Sequence, residues 1–234
     1  MIGNGMSPMN SGLYSMSSNS LNGGDNSKSL GKVAGYMESY SDGNLGSIND
    51  LKSTVFSNLD GVTPGSDDAK SLSQTASLGR TLCHRVADSF QPLDTSLAPV
   101  LKKLNTLQPG LIDQRNRFNN RDGEGDTPLL TAIDRPEKNT QFVNAFLDAG
   151  ADVNARGISD HTPLIRMIIK KQPIESIRSI LERGADLGVT VEDPFGDSDL
   201  DLDYFVSAVS DPGYKQGLEA VIDEFRNAKM GSQE

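Results

Sequence analysis

The chain has 234 residues, a formal net charge of -10, 23 glycines and a hydrophobic fraction of 35%, which is enough for one or two domains but not for a core over the whole length. The charge is uneven, with eleven acidic against three basic side chains in residues 191–234 and near balance elsewhere. Nucleic acid and anionic lipid both need clustered Lys and Arg, so this distribution argues against them and favours a partner protein with a basic patch.

Residues 1–24 contain no charged side chain, and Ser, Asn, Gly and Met dominate them. Such a segment cannot offset the entropy of ordering itself, and residues 1–27 are expected to be a disordered tail. It lacks the basic and apolar regions of a secretory signal peptide. No run in the chain reaches the roughly 20 apolar residues of a membrane span. Residues 28–67 read as a weakly helical or disordered linker. Ile48, Leu51, Val55 and Leu59 follow helical spacing, Gly43, Gly46 and Gly61 interrupt it, and residues 61–68 have a linker composition.

From Asp68 the pattern firms up, and residues 68–118 read as an N-terminal helical cap or degenerate repeat. Leu72, Ala76, Leu78, Leu82, Val86 and Phe90 share one face of a predicted helix that stops before Pro92. A second helix over 95–107 turns Leu97, Val100, Leu101 and Leu104 inward and ends at Pro109-Gly110, completing an αα-hairpin. Cys83, the one cysteine, excludes an internal disulfide. It stands next to His84, but neighbours on a helix point about 100° apart, so packing is expected and not a nucleophile–base pair.

Residues 119–190 contain a repeat. Thr127-Pro128-Leu129 recurs as Thr162-Pro163-Leu164 with a shift of 35, and Gly150-Ala151-Asp152 recurs as Gly184-Ala185-Asp186 with a shift of 34. The threonines suit helix caps and the prolines a first helical turn, where no N–H partner is needed. Leu129, Ala132 and Ile133 then face inward, as do Leu164, Met167 and Ile168. In the second helices Val143, Phe146 and Leu147 correspond to Ile177, Ile180 and Leu181. Gly150 and Gly184 end those helices, where a left-handed residue is wanted.

This double pattern resembles the ankyrin repeat, whose period is about 33 and whose signature includes T-P-L. Leu130 and Ile165 stand where the family usually has histidine, and Asp160 replaces the glycine before the second T-P-L. The resemblance implies an all-α fold, an ankyrin-repeat solenoid of helix pairs with short hairpin loops, preceded by a largely disordered N-terminal region. Residues 191–234 read as a degenerate third repeat and C-terminal cap. Residues 195–200 align with the T-P-L position, Phe205, Ala208 and Val209 give an inner helix, and Leu218, Val221, Ile222 and Phe225 an outer one. Asp197, Asp199, Asp201 and Asp203 alternate like the start of a calcium loop. Leu202 and Ala208 occupy the places where that loop needs Gly and Glu, so a solvated acidic loop is expected.

The resemblance implies a non-catalytic protein that binds a partner protein on a concave surface. Carried over by position, the contact residues are Gly123, Glu124, Asp126, Asp134 and Arg135 in the first unit and Ile158, Ser159, His161, Ile169 and Lys170 in the second. Ile158 and Ile169 are the most informative, because an exposed isoleucine costs solubility unless covered. No cofactor or metal is expected, since no phosphate loop, Cys/His cluster or nucleophile elbow occurs. The uncharged tail is similar to the export signal of bacterial type III secretion substrates, with residues 28–67 in the place of a chaperone-binding region. That likeness implies a virulence effector secreted into the host cell cytoplasm and acting on a host protein. The alternatives are a resident cytosolic ankyrin adaptor or inhibitor, and an enzyme with activity in an unrecognised N-terminal helical region.

Overall fold

A computed structural model describes residues 53, 55–73, 80–88, 97–117, 125–135, 140–193, 196 and 199–231, and these are mostly helical. The expectations for the tail, for residues 28–52, and for Ala76, Leu78, Phe90, Gly123, Glu124, Phe195 and Asp197 lie outside the described residues.

The helices are α1 (Asp67–Ser71), α2 (Leu82–Asp88), α3 (Leu97–Leu107), α4 (Pro128–Ile133), α5 (Thr140–Asp148), α6 (Pro163–Ile169), α7 (Ile174–Glu182), α8 (Leu202–Ser207) and α9 (Pro212–Gly231). Two short strands, β1 (Thr190–Val191) and β2 (Leu200–Asp201), pair antiparallel with Thr190 opposite Asp201. The two repeated segments begin alike. Thr127 Oγ1 accepts the Leu130 N–H at 3.3 Å and Thr162 Oγ1 the Ile165 N–H at 3.5 Å, with Pro128 and Pro163 next in line. They also end alike, on Gly150 (φ 93°) and Gly184 (φ 89°), in the left-handed region that glycine adopts without steric cost.

The helices form two rows. In the inner row α2 packs on α4, α4 on α6 and α6 on α8; in the outer row α3 packs on α5, α5 on α7 and α7 on α9. One continuous core runs between them, from Val86 and Leu104 through Ile133, Phe146, Ile168 and Ile180 to Leu218 and Ile222. Each buried Leu, Ile or Phe contributes about 1.5–3 kcal/mol relative to exposure. A helix pair covers only one side of itself, so this burial exists only because the pairs stack.

Three expectations are corrected. The long helix from Asp68 to before Pro92 is broken: α1 ends at Ser71, Arg80 and Thr81 are outside helix, and α2 begins at Leu82. Thr81 is held out of the helix as a cap. Its Oγ1 accepts the His84 N–H at 3.4 Å, while its own N–H donates to His84 Nδ1 at 3.2 Å, a reciprocal arrangement like a capping box. The stretch read as a linker is packed. Val55, Leu59 and Val62 are buried in the common core, and the Gly65 N–H reaches the Leu107 carbonyl of α3 at 3.4 Å. Gly61 and Gly65, both at positive φ, are the turns that bring them there. In the C-terminal unit the capping residue is Asp201, whose Oδ1 accepts the Tyr204 N–H at 2.9 Å. The inner helix therefore buries Leu202, Phe205 and Val206, while Ala208 is exposed, Val209 half-buried and Leu200 in β2. The outer helix buries Leu218, Val221 and Ile222, with Phe225 partly covered.

Candidate protein-binding surface

The inner row and its hairpins carry the residues singled out above, and an arginine that sequence reasoning passed over organises them. Arg166, on α6, is 8% exposed. Its Nη2 donates to Asp126 Oδ1 at 2.9 Å and to the Ile158 carbonyl at 3.3 Å, and its Nη1 to Asp134 Oδ2 at 2.7 Å. Lys170 Nζ stands 3.4 Å from Asp134 Oδ1, and Asp126 Oδ1 also accepts the Ile158 N–H at 2.9 Å. The structure thus gathers Asp126, Asp134, Ile158 and Lys170 around one guanidinium that bridges two units. Asp126 is only 7% exposed. Its carboxylate is committed inside the chain because a buried charge must be paired, so it joins units and presents nothing to a partner.

The other residues divide. Arg135 donates to the Ala87 carbonyl at 3.5 Å and lies 4.8 Å over the Phe142 ring, tying its unit back to α2. Ser159 is exposed and at φ 59°. His161 is half-buried with its ring edge-on to Phe205, centroids 5.8 Å apart, and burial, then the Arg166 charge, holds its pKa down. Ile169 is 44% exposed at the end of α6, beside the exposed Lys170. Gly123 and Glu124 are not among the described residues.

Cys83 and His84 are structural. The thiol is fully buried, and desolvation, then the Asp113 charge, pushes its pKa up to about 12, so no thiolate forms near neutral pH. Burial pulls His84 down to about 4, against the Asp126 carbonyl that raises it. With Nδ1 accepting from Thr81, Nε2 carries the proton and donates it to the Asp126 carbonyl at 2.9 Å. Thr81 and His84 stand three residues apart, and Thr81 caps α2 as Thr127 caps α4. That spacing was the available signal, masked because Leu-Cys replaces Pro-Leu.

Among the described residues no group of His, Cys, Asp and Glu is placed to hold a metal ion. In the acidic run, Asp201 caps α8 and Asp203 pairs with Arg226 at 2.7 Å. Among the described residues no helix is long and apolar enough to cross a membrane.

These features make a mostly helical arrangement in which two helix pairs with the same boundaries pack side by side. The family model of the ankyrin repeat matches residues 124–158, the segment that contains α4, α5 and the Ile158 clamped by Asp126. This supports an ankyrin-repeat protein with a role in protein–protein interaction. No curated protein matches the chain.

Proposed function

We propose that the chain is an ankyrin-repeat solenoid that binds a partner protein through its inner row and hairpin tips, without catalysis, as a secreted bacterial effector acting on a host protein. The observation that carries the binding role is Ile169, an isoleucine 44% exposed on the inner row. It stands on a frame that the Arg166 bridges hold rigid, and a preorganised surface loses little entropy when it binds. The effector role rests on the uncharged Ser/Asn/Gly tail alone. A secretion chaperone would use residues 28–52, because Val55, Leu59 and Val62 are buried in the core.

The test is a pull-down from host-type lysate with the full chain as bait, wild type against Ile169→Asp. Ile169 is already half in water, so circular dichroism should show an unchanged fold. A protein retained by the wild type and lost with the variant is the expected result, and identical retention by both baits refutes the inner-row surface. Deleting residues 1–24 should abolish export through a type III apparatus, and unchanged export would favour the resident adaptor.

A further inference from the structure

Among the described residues α8 packs on α6 and α9, and no further inner-row helix lies against it. Counted from the capping residues, Tyr204 stands where Leu130 and Ile165 stand in the two units before. Those residues are fully buried, whereas Tyr204 is 50% exposed. An end face meets water and is served by polar residues; Asp203 and Ser207 on the same helix are of that kind. Tyr204 instead holds a large aromatic ring in solvent. The ring is braced: it meets Phe205 edge-on with centroids 5.4 Å apart at 89°, and Phe205 meets His161 at 5.8 Å and 85°. An aromatic side chain fixed in this way has little freedom left to lose on docking.

Charge selects the occupant. Only three basic side chains lie in residues 191–234. Arg226 is engaged by Asp203 at 2.7 Å, Lys215 lies 4.0 Å from Glu219 and donates to the Ser207 carbonyl, and Lys229 is in the last turn of α9. The strand ladder ends at the pair Val191 and Leu200, and the residues next to it in the chain, Glu192 and Asp199, are both exposed. Neither carboxylate meets a basic side chain among the described residues. A cation from outside would pair with them.

We infer that the open face of α8, with the β1–β2 ladder that leads into it, docks a lysine- or arginine-bearing segment of the partner protein. One cation lies against the Tyr204 ring and others lie toward Glu192 and Asp199. This rests on the reading of the chain as a protein-binding solenoid and names the chemistry of the partner. Aromatic faces attract Lys and Arg cations, and a surface of this sign repels nucleic acid and anionic lipid.

The test uses the full chain and a fluorescent peptide alternating arginine with glycine, with a glutamate–glycine peptide as control, read by anisotropy. The arginine peptide should bind and the glutamate peptide should not. Tyr204→Ala should weaken binding about threefold to fivefold, the size of an exposed cation–π contact, and Tyr204→Phe should keep it. Glu192→Gln with Asp199→Asn should weaken binding and flatten its salt dependence, whereas the charge-matched Asp60→Asn with Asp67→Asn, both exposed near the other end of the described chain, should leave it unchanged. No binding of the arginine peptide, or equal binding by wild type and Tyr204→Ala, overturns the inference. So does sedimentation showing that the chain self-associates through Tyr204, since the occupant is then a second copy. If Ile169→Asp loses a pulled-down partner while Tyr204→Ala changes nothing, this inference falls and the protein-binding reading stands. If Tyr204→Ala weakens the peptide and Ile169→Asp loses nothing, the inner-row surface falls instead.

Discussion

Replacing Arg166 with methionine tests the bridge between the two central units. The change keeps most of the side-chain volume and removes the guanidinium, leaving the Asp126 carboxylate, whose side chain is 10% exposed, with only the Ile158 N–H. Removing one partner of a buried ion pair costs about 3–5 kcal/mol, because the other charge stays buried. Asp134 adds little: its side chain is 30% exposed and keeps Lys170, and such pairs contribute about 0–1 kcal/mol. The expected loss is therefore about 3 kcal/mol, a large part of the roughly 5–15 kcal/mol of an ordinary domain. Urea unfolding followed by circular dichroism at neutral pH measures it. Adding Asp126→Asn should restore much of the loss, since an amide oxygen still accepts from Ile158 and no charge remains, giving a coupling of about 2 kcal/mol in a double-mutant cycle. A single-variant loss below about 1 kcal/mol, or no coupling, would show that Arg166 is a surface arginine and that the bridge does not hold the units together.

His84 and Gly157 give two further tests. His84 titrates near 4 in the fold against an ordinary value of 6.5, so the unfolded chain binds the extra proton between those values. Its stabilisation is complete above about pH 6.5 and is lost as pH falls toward 4, amounting to about 2 kcal/mol between pH 7 and pH 5. Urea midpoints at the two pH values should show this fall in the wild type and a smaller one in His84→Gln, and equal falls would refute the buried neutral imidazole. At Gly157 a Cβ would lie 2.3 Å from Asp126 Oδ1 and 2.4 Å from Leu130 Cδ1, whereas at Gly188 the nearest atom, Asp186 Oδ1, is 3.5 Å away. Gly157→Ala should cost about 1–3 kcal/mol by overpacking while Gly188→Ala is nearly neutral; similar thermal midpoints for the two would contradict the close approach.

The central pairs α4–α5 and α6–α7 were readable because their boundaries are written in local chemistry: Thr-Pro at the start of α4 and of α6, a left-handed glycine after α5 and after α7, apolar faces between. The flanking units were harder because one local signal outweighed another. Between Leu72 and Phe90 the apolar spacing imitates a single helix, and only the Thr81–His84 pair marks the break. At the other end Leu200 resembles the leucine of T-P-L, but a helix starts where a side chain can accept the first N–H groups, and that residue is Asp201. The surface was read by family position, and of the residues so chosen Ile169 is 44% exposed and Asp126 7%. Arg166 was hidden within Pro-Leu-Ile-Arg-Met-Ile-Ile, where it looks like the polar side of an apolar helix. Its partners lie 40 and 32 residues away, and no local pattern reports a contact of that span.

A ladder of side-chain bonds to backbone N–H groups joins the hairpins of successive units. Asp113 Oδ1 accepts the Asp152 N–H at 2.8 Å, and Asn154 Oδ1 accepts the Asp186 N–H at 2.8 Å, each a rung from one unit to the next. Asn154 takes its place through its own N–H to Asp152 Oδ1, and Gly188 makes the matching bond to Asp186 Oδ1. Gly188 is thus the next rung position, and it has no side chain to extend. The ladder stops in the same unit where the inner row ends on Tyr204 and the outer row on α9, which exposes Glu219, Asp223 and Glu224. An interior unit must match neighbours on both sides, as Arg166 matches Asp126 and Asp134. In the C-terminal unit Glu224 is held by Arg178 of α7 and Asp203 by Arg226, while Glu192 and Asp199 meet no basic side chain among the described residues and are available to set the chemistry of what it meets.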